Sequence, residues 1–317
     1  CSTWSGAYSR QLRRCRYVDP RSVRQLADVP VNPTGLCMLP GGVLVIASCA
    51  YGSKCGVKFI AARNDTDPQA LAACRASSLA TTPFEWLMGL ALTNDGLLAC
   101  NVNQSTALYK FAKDGSMDEL ATVPVLANYD QGFRRCAVHQ QTQRTYALAG
   151  DADKGNHALV ILDANLQVIA TVEDTGGAPE DVGEDEDYQP IRDVAVHGDQ
   201  VIVLTSNDHP KGSGLRLLDL DGRFLRTIAA GQFRKPHVVT ASHGRAFVVD
   251  DDGGGHDDDE SGNMLHVIDI QSGDILQSVG FELKGAASAI LVDGNNIYIA
   301  SFFTSEVGVL QLAGSEA

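Results

Sequence analysis

Arg134, Arg192 and His237 stand at equivalent points of three successive repeat units, and all three are side chains that bind anions. A guanidinium is a planar fork matched to carboxylate, sulfate or phosphate, and an imidazole adds a hydrogen bond or moves a proton near neutral pH. The same register in the other units holds Thr34, Met88 and Ala287. The expected ligand-binding set is therefore Thr34, Met88, Arg134, Arg192 and His237, with a small anionic ligand or an extracellular protein as partner. The catalytic alternative is a metal-dependent hydrolase or lyase. A channel metal would activate water, His237 would shuttle the proton, and Arg134 and Arg192 would hold an anionic group. The structural alternative is an ion pair with an Asp of a neighbouring unit, such as Asp193.

Hard-cation chemistry is the second possibility. Asp151, Asp153 and Asn156 in Asp151-ADKGNH, with Asp250, Asp251, Asp252, Asp257 and Asp258 in Asp250-DDGGGHDDDE, offer oxygen ligands of the kind Ca2+ takes. Neither stretch has the full EF-hand spacing with its terminal Glu. Calcium is the cofactor expected, and no organic cofactor is indicated. There is no GxSxG elbow, HExxH, P-loop or GxGxxG. His139, His197, His243 and His266 fall at strand ends or hairpin turns and are expected at the surface.

Positioning these side chains is the work of a repeat. Its opening strands read Gly35-LCMLPGGVLVIAS, Gly89-LALTNDGLLACN, Arg135-CAVHQQTQRTYALAGD, Asp193-VAVHGDQVIVLTS, Val238-VTASHGRAFVVDD and Ser288-AILVDGNNIYIAS. The copies recur about every 50 residues, the period of a propeller blade. Two further alternating strands follow in most units, as in Leu215-RLLDLDG and Phe224-LRTI. The expected fold is all-β, a six-bladed β-propeller with four antiparallel strands per blade. The last unit has three evident strands, so Val23-RQLADV is expected to close it from the N-terminal side. Residues 1–20 read as a disulfide-tethered tail, 21–317 as a single propeller domain, and Gln69-ALAACRASSLA as a short helix.

Pro33-TGL and Gly231-QFRKPHVV, with the repeat over residues 30–312, resemble the NHL and SMP-30/gluconolactonase-like six-bladed propellers. Propellers of this kind include hydrolases, lyases and binding modules. The resemblance implies, for the lactonases, a channel calcium held by Glu and Asn; Met88 stands where that Asn would be. Phe233-RKPHVV is similar to the amidating-lyase branch, which implies a zinc-binding His at position 237, and His237 alone matches that set.

Composition narrows the setting. The chain has 317 residues, 44% of them hydrophobic, and a net charge of −14, which disfavours nucleic acid and anionic membrane surfaces. No apolar run reaches the length of a membrane span. The eight cysteines, Cys1, Cys15, Cys37, Cys49, Cys55, Cys74, Cys100 and Cys136, are even in number and form no CxxC pair. They read as disulfides of a secreted, extracellular or periplasmic protein, with Cys49–Cys55 and Cys1–Cys15 the first pairings to try. Asn64-Asp-Thr66 and Asn103-Gln-Ser105 are glycosylation acceptors, at Asn64 and Asn103. The charge is local: segments 180–187 and 250–260 hold 13 of the 39 acidic residues and no Lys or Arg, and the remainder is nearly neutral.

Overall fold

Strands such as Val43-LVIAS and Gln200-VIVLT are too apolar to lie at a surface, and both are buried along almost their whole length. Sheets of such strands must be covered on both faces, and here each sheet is covered by the next. The computed structural model describes residues 18–49, 55–76, 87–94, 96–101, 108–112, 132–151, 156–173, 191–206, 213–251, 263–283, 285–302 and 304–312.

The chain is an all-β propeller of antiparallel four-stranded sheets, with five blades recognisable as such. The described strands fall into six sheets. The first holds β2 (Pro33–Leu39), β3 (Val43–Ser48) and β4 (Gly56–Ala61), and the second β5 (Leu87–Leu92), β6 (Gly96–Asn101) and β7 (Leu108–Ala112). The third holds β8 (Phe133–His139), β9 (Arg144–Asp151), β10 (Asn156–Leu162) and β11 (Val168–Val172). The fourth runs through β12 (Asp193–His197), β13 (Gln200–Thr205), β14 (Gly214–Asp219) and β15 (Phe224–Ile228). The fifth has β16 (Pro236–Ser242), β17 (Arg245–Asp251), β18 (Asn263–Asp269) and β19 (Ile275–Phe281). The sixth has β20 (Ala287–Asp293), β21 (Asn296–Ser301), β22 (Glu306–Leu312) and, on its outer edge, β1 (Val18–Gln25).

First strands pack on one another in cyclic order: β2 on β5, β5 on β8, β8 on β12, β12 on β16, β16 on β20, and β20 back on β2. The apolar core lies in the wedges between neighbouring sheets. Phe247, Val249 and Leu265 of the fifth sheet meet Ile297, Ile299 and Leu310 of the sixth, and Leu204 and Leu217 of the fourth meet Val248 and Ile268 of the fifth.

β1 pairs antiparallel with β22, from Val18 opposite Leu312 to Gln25 opposite Gly308. It begins earlier than the expected 23–29 and crosses the expected boundary at residue 20. Asp28 (φ 60°) and Asn32 (φ 49°) turn the chain after it, while Leu26 and Val29 pack between the sixth and first sheets. Gln277 of β19 clamps its start, accepting from the Val18 N–H at 2.9 Å and donating to the Val18 carbonyl at 3.1 Å. The Ala-rich stretch supplies one helix, α1 (Pro68–Arg75), capped by the Asp67 carboxylate on the Gln69 N–H with Pro68 in the first turn.

The cysteines depart from expectation. No two described cysteines lie at disulfide distance, and Cys1 and Cys15 lie outside the described residues. Cys49 and Cys55, across a short connection, approach to 2.6 Å between sulfurs.

Gln277→Ala is expected to cost about 1–2 kcal/mol and to raise amide exchange in β1 above that in β8–β10. Uniform exchange across these strands would show that the clamp does not hold β1.

Candidate functional site

Five of the six first strands carry a bulge near their start. The extra residue is Thr34 in β2, Met88 in β5, Arg134 in β8, His237 in β16 and Ser288 in β20. Just ahead of β12, the Arg192 N–H donates to the Leu204 carbonyl, and Leu204 also faces Asp193 in the ladder. A bulge bends its strand and re-aims the extra side chain, so these residues share one level around the axis. Sequence register found four of them, and Arg192 just ahead of β12, the first strand that has no bulge. In the last unit the bulge falls on Ser288 and not Ala287, because β20 starts one residue before the repeat does.

Two bulge residues are structural ties. Ser288 Oγ donates to the Pro33 carbonyl and Thr34 Oγ1 to the Leu87 carbonyl, each at 2.5 Å, each reaching the start of the next sheet. Thr34 is wholly buried. Glycines let these starts approach: a β-carbon on Gly89 would lie 3.1 Å from the Arg134 carbonyl oxygen and 3.2 Å from Arg135 Cα.

Arg135, one residue past the bulge of β8, spans the axis. Its Nη1 donates to the carbonyls of Thr34 (3.0 Å) and Met88, its Nη2 to the carbonyl of Ser288 (2.7 Å), and its Nε lies 3.8 Å from Asp193 Oδ1. All three carbonyls belong to bulge residues, where the ladder is interrupted and an outside donor is needed. Asp193 in turn accepts from the N–H groups of Val194 and Val239, both at 2.8 Å. Burial pushes its carboxyl up to about 6, against the pull of Arg135 and of the two N–H groups.

Sequence reasoning chose Arg134 and missed Arg135. The signal was present: Arg135 and Asp193 open adjacent repeat units, opposite charges in one column of the alignment.

His237 is held by the segment before it. Asp250 accepts from the backbone N–H groups of Arg234 (2.8 Å) and Lys235 (2.6 Å), and Ser213 Oγ donates to the Phe233 carbonyl at 2.7 Å. His266 places Nε2 3.5 Å from Asp250, hydrogen-bonds Ser278 through Nδ1 at 2.8 Å, and packs against Phe233. Asp250 is buried, and both its oxygens accept backbone N–H groups, so it anchors the approach to His237.

Asp151 and Asn156 face each other across the β9–β10 ladder, and Asp251 ends β17 opposite Asn263. Asp153, Asp252, Asp257, Asp258 and Asn103 lie outside the described residues, whereas Asn64 is exposed. Among the described residues no group of three or more His, Cys, Asp or Glu is placed to hold a metal ion. Of the histidines expected at the surface, His139 and His266 are buried, His139 bonding Thr142 at 2.8 Å. His197 accepts the Gly244 N–H at 3.0 Å, and His243 is exposed. No helix among the described residues is long and apolar enough to cross a membrane.

No family model matches the chain, and no curated protein matches it. Solved structures do. A structural genomics protein of unknown function from Bacteroides thetaiotaomicron is similar with a TM-score of 0.60 at 12% identity, over 93% of this chain and 73% of that one. The fold is that of the β-propellers. Kuenenia stuttgartiensis hydrazine synthase gives a TM-score of 0.52 at 15% identity, over 86% of this chain and 74% of that one. BamB from Moraxella catarrhalis gives 0.50 at 14%, over 95% and 100%. At such identities the likeness is of fold alone, and propellers carry unrelated activities.

Two measurements test the axial network. Arg135→Met leaves three bulge carbonyls and Asp193 without their cation and is expected to lose about 3–5 kcal/mol in urea unfolding. Because the folded Asp193 carboxyl titrates near 6, above the roughly 3.9 of an unfolded chain, its stabilising effect is complete below about pH 4 and lost as pH rises through about 6. The stability of the wild type relative to Asp193→Asn is therefore expected to fall by up to about 3 kcal/mol between pH 4 and pH 7. A flat difference would contradict it.

Proposed function

We propose that this chain is a six-bladed propeller of the NHL and SMP-30-like kind, closed by β1, that acts outside the cytoplasm as a binding module. Its axial mouth takes a small carboxylate, sulfate or phosphate group, free or carried by an extracellular protein. The observation that carries the reading is the placement of Arg134, Arg192 and His237 at one level of three consecutive sheets. Two forks and an imidazole suit an anion, and bulges recur where side chains are re-aimed into sites.

The cyclic packing of six first strands supports a sixth blade beside the five recognisable ones. The β1–β22 ladder supports closure by the N-terminal strand. Arg135 is engaged by carbonyls at the same level, which gives the mouth a floor.

Calorimetric titration with succinate, sulfate and phosphate tests the reading. Saturable binding of at least one is expected, weakened about 10- to 100-fold in Arg134→Ala and Arg192→Ala. Lysine substitutions should restore it only in part, because an ammonium lacks the fork. No binding by any of the three, or binding untouched by both alanine variants, would refute it.

A further inference from the structure

We propose that Tyr298, Arg63 and Asp293 form a second binding site, between the sixth and first sheets, that takes a hydroxyl of a neutral, polyhydroxylated ligand of the sugar class. It is separate from the axial mouth, because Asp293 ends β20 whereas the bulge residue Ser288 lies near its start.

Two equivalent tyrosines behave differently. Tyr146 is the third residue of β9 and Tyr298 the third of β21, and both are wholly buried. Tyr146 donates its hydroxyl at 2.9 Å to the carbonyl of Leu220, the residue that follows β14 in the next sheet. The corresponding residue for Tyr298 is Ala62, which follows β4 and packs in the same apolar cluster. Its carbonyl is already taken, because Arg24 of β1 donates to it from Nη2 at 2.9 Å. The Tyr298 hydroxyl therefore has no hydrogen-bond partner among the described residues. Burial holds its pKa above the usual tyrosine value, so it stays a donor; Asn296 draws it back a little without reaching hydrogen-bond geometry.

The ladders put its polar neighbours on the same face. Arg24 lies opposite Val309 and Val309 opposite Tyr298, in one row across the sheet, while Asp293 lies opposite Asn296 in the next row on that face. Arg63 follows Ala62 and brings Nη1 to 3.4 Å from Asp293 Oδ2. That contact is ionic only: Arg63 Nε and Asp293 Oδ2 are buried atoms without a hydrogen-bond partner among the described residues. Two donors, the Tyr298 O–H and the Arg63 Nε–H, thus converge with one acceptor, Asp293 Oδ2. A hydroxyl group accepts two hydrogen bonds and donates one, which matches this set. The charges of Arg24, Arg63, Asp65 and Asp293 sum to zero, which favours a neutral ligand over an anion.

Access runs between Arg63 and Asp293, whose side chains are 35% and 27% exposed. Asp65, 3.6 Å from Arg63 Nε and well exposed, offers an acceptor for a neighbouring hydroxyl of the same ligand. Arg63 is held from behind: its N–H donates to Thr66 Oγ1 at 3.1 Å, and Thr66 Oγ1 donates to the Gly42 carbonyl at 2.9 Å. Gly42, at φ 76°, makes the room, since a β-carbon there would sit 3.1 Å from Arg63 Nη2 and 3.2 Å from its Nε.

The test is ligand-observed NMR titration of the folded full-length chain with the methyl glycosides of glucose, mannose and galactose and with myo-inositol. Saturable binding of at least one is expected. Tyr298→Phe removes a single oxygen and should weaken that binding about 3- to 10-fold, with Arg63→Met and Asp293→Asn weakening it at least as much. Thermal unfolding checks the variants, and Tyr298→Phe, which loses a hydroxyl that bonds nothing in the fold, should melt no lower than the wild type. If none of the four probes saturates, or if Tyr298→Phe binds as the wild type does, the cluster holds water alone and the proposal is overturned. Titration of Arg63→Met with succinate, sulfate and phosphate, and of Arg134→Ala with the sugars, reads the two sites separately, so failure of one idea is distinguishable from failure of the other.

Discussion

One cation on the axis holds the sheets to a common centre. Arg135 reaches the carbonyls of Thr34, Met88 and Ser288 on three other sheets, and its partner Asp193 on a fourth accepts an N–H from Val239 on a fifth. A buried ion pair is weak evidence of stability by itself, since removing two charges from water is costly. Here that cost is offset because the guanidinium satisfies carbonyls that the bulges have taken out of their ladders. The bulges and the arginine therefore depend on each other.

That dependence separates two tasks within one ring of residues. Thr34 and Ser288 use their hydroxyls to tie adjacent sheets, and Arg135 grips main-chain atoms. Side chains at 88, 134, 192 and 237 can then differ without altering what Arg135 holds. Asp250 shows the same economy on the approach to His237: an acidic residue at the edge of a long acidic run is used to fix two backbone N–H groups.

Much of this could be read from the residues. The repeat gave the sheets, because each copy pairs a doubly buried strand with turn chemistry at a regular interval. The bulge column was legible at 34, 88, 134 and 237 from the alignment of the copies alone. The role of Arg135 was not, since a charge beside a glycine column reads equally as mouth or plug until the carbonyls around it are placed. The ends of β1 were hidden because Asp28 and Asn32 adopt positive φ without being glycine. The burial of His139 and His266 depends on partners, Thr142 and Ser278, in a turn and on a neighbouring strand.

The pairing of β1 with β22 sets a schedule for biosynthesis. The strand at residues 18–25 must wait for a partner at 306–312, which at ordinary rates of translation is roughly 15–60 s away. Until then it is an orphan with unpaired N–H and C=O groups, and the sixth sheet lacks its outer edge. The sixth sheet thus gains β1 only after residues 306–312 have been made. In that interval the emerging protein is an open arc of sheets, with its first and last wedges exposed to chaperones and to its neighbours.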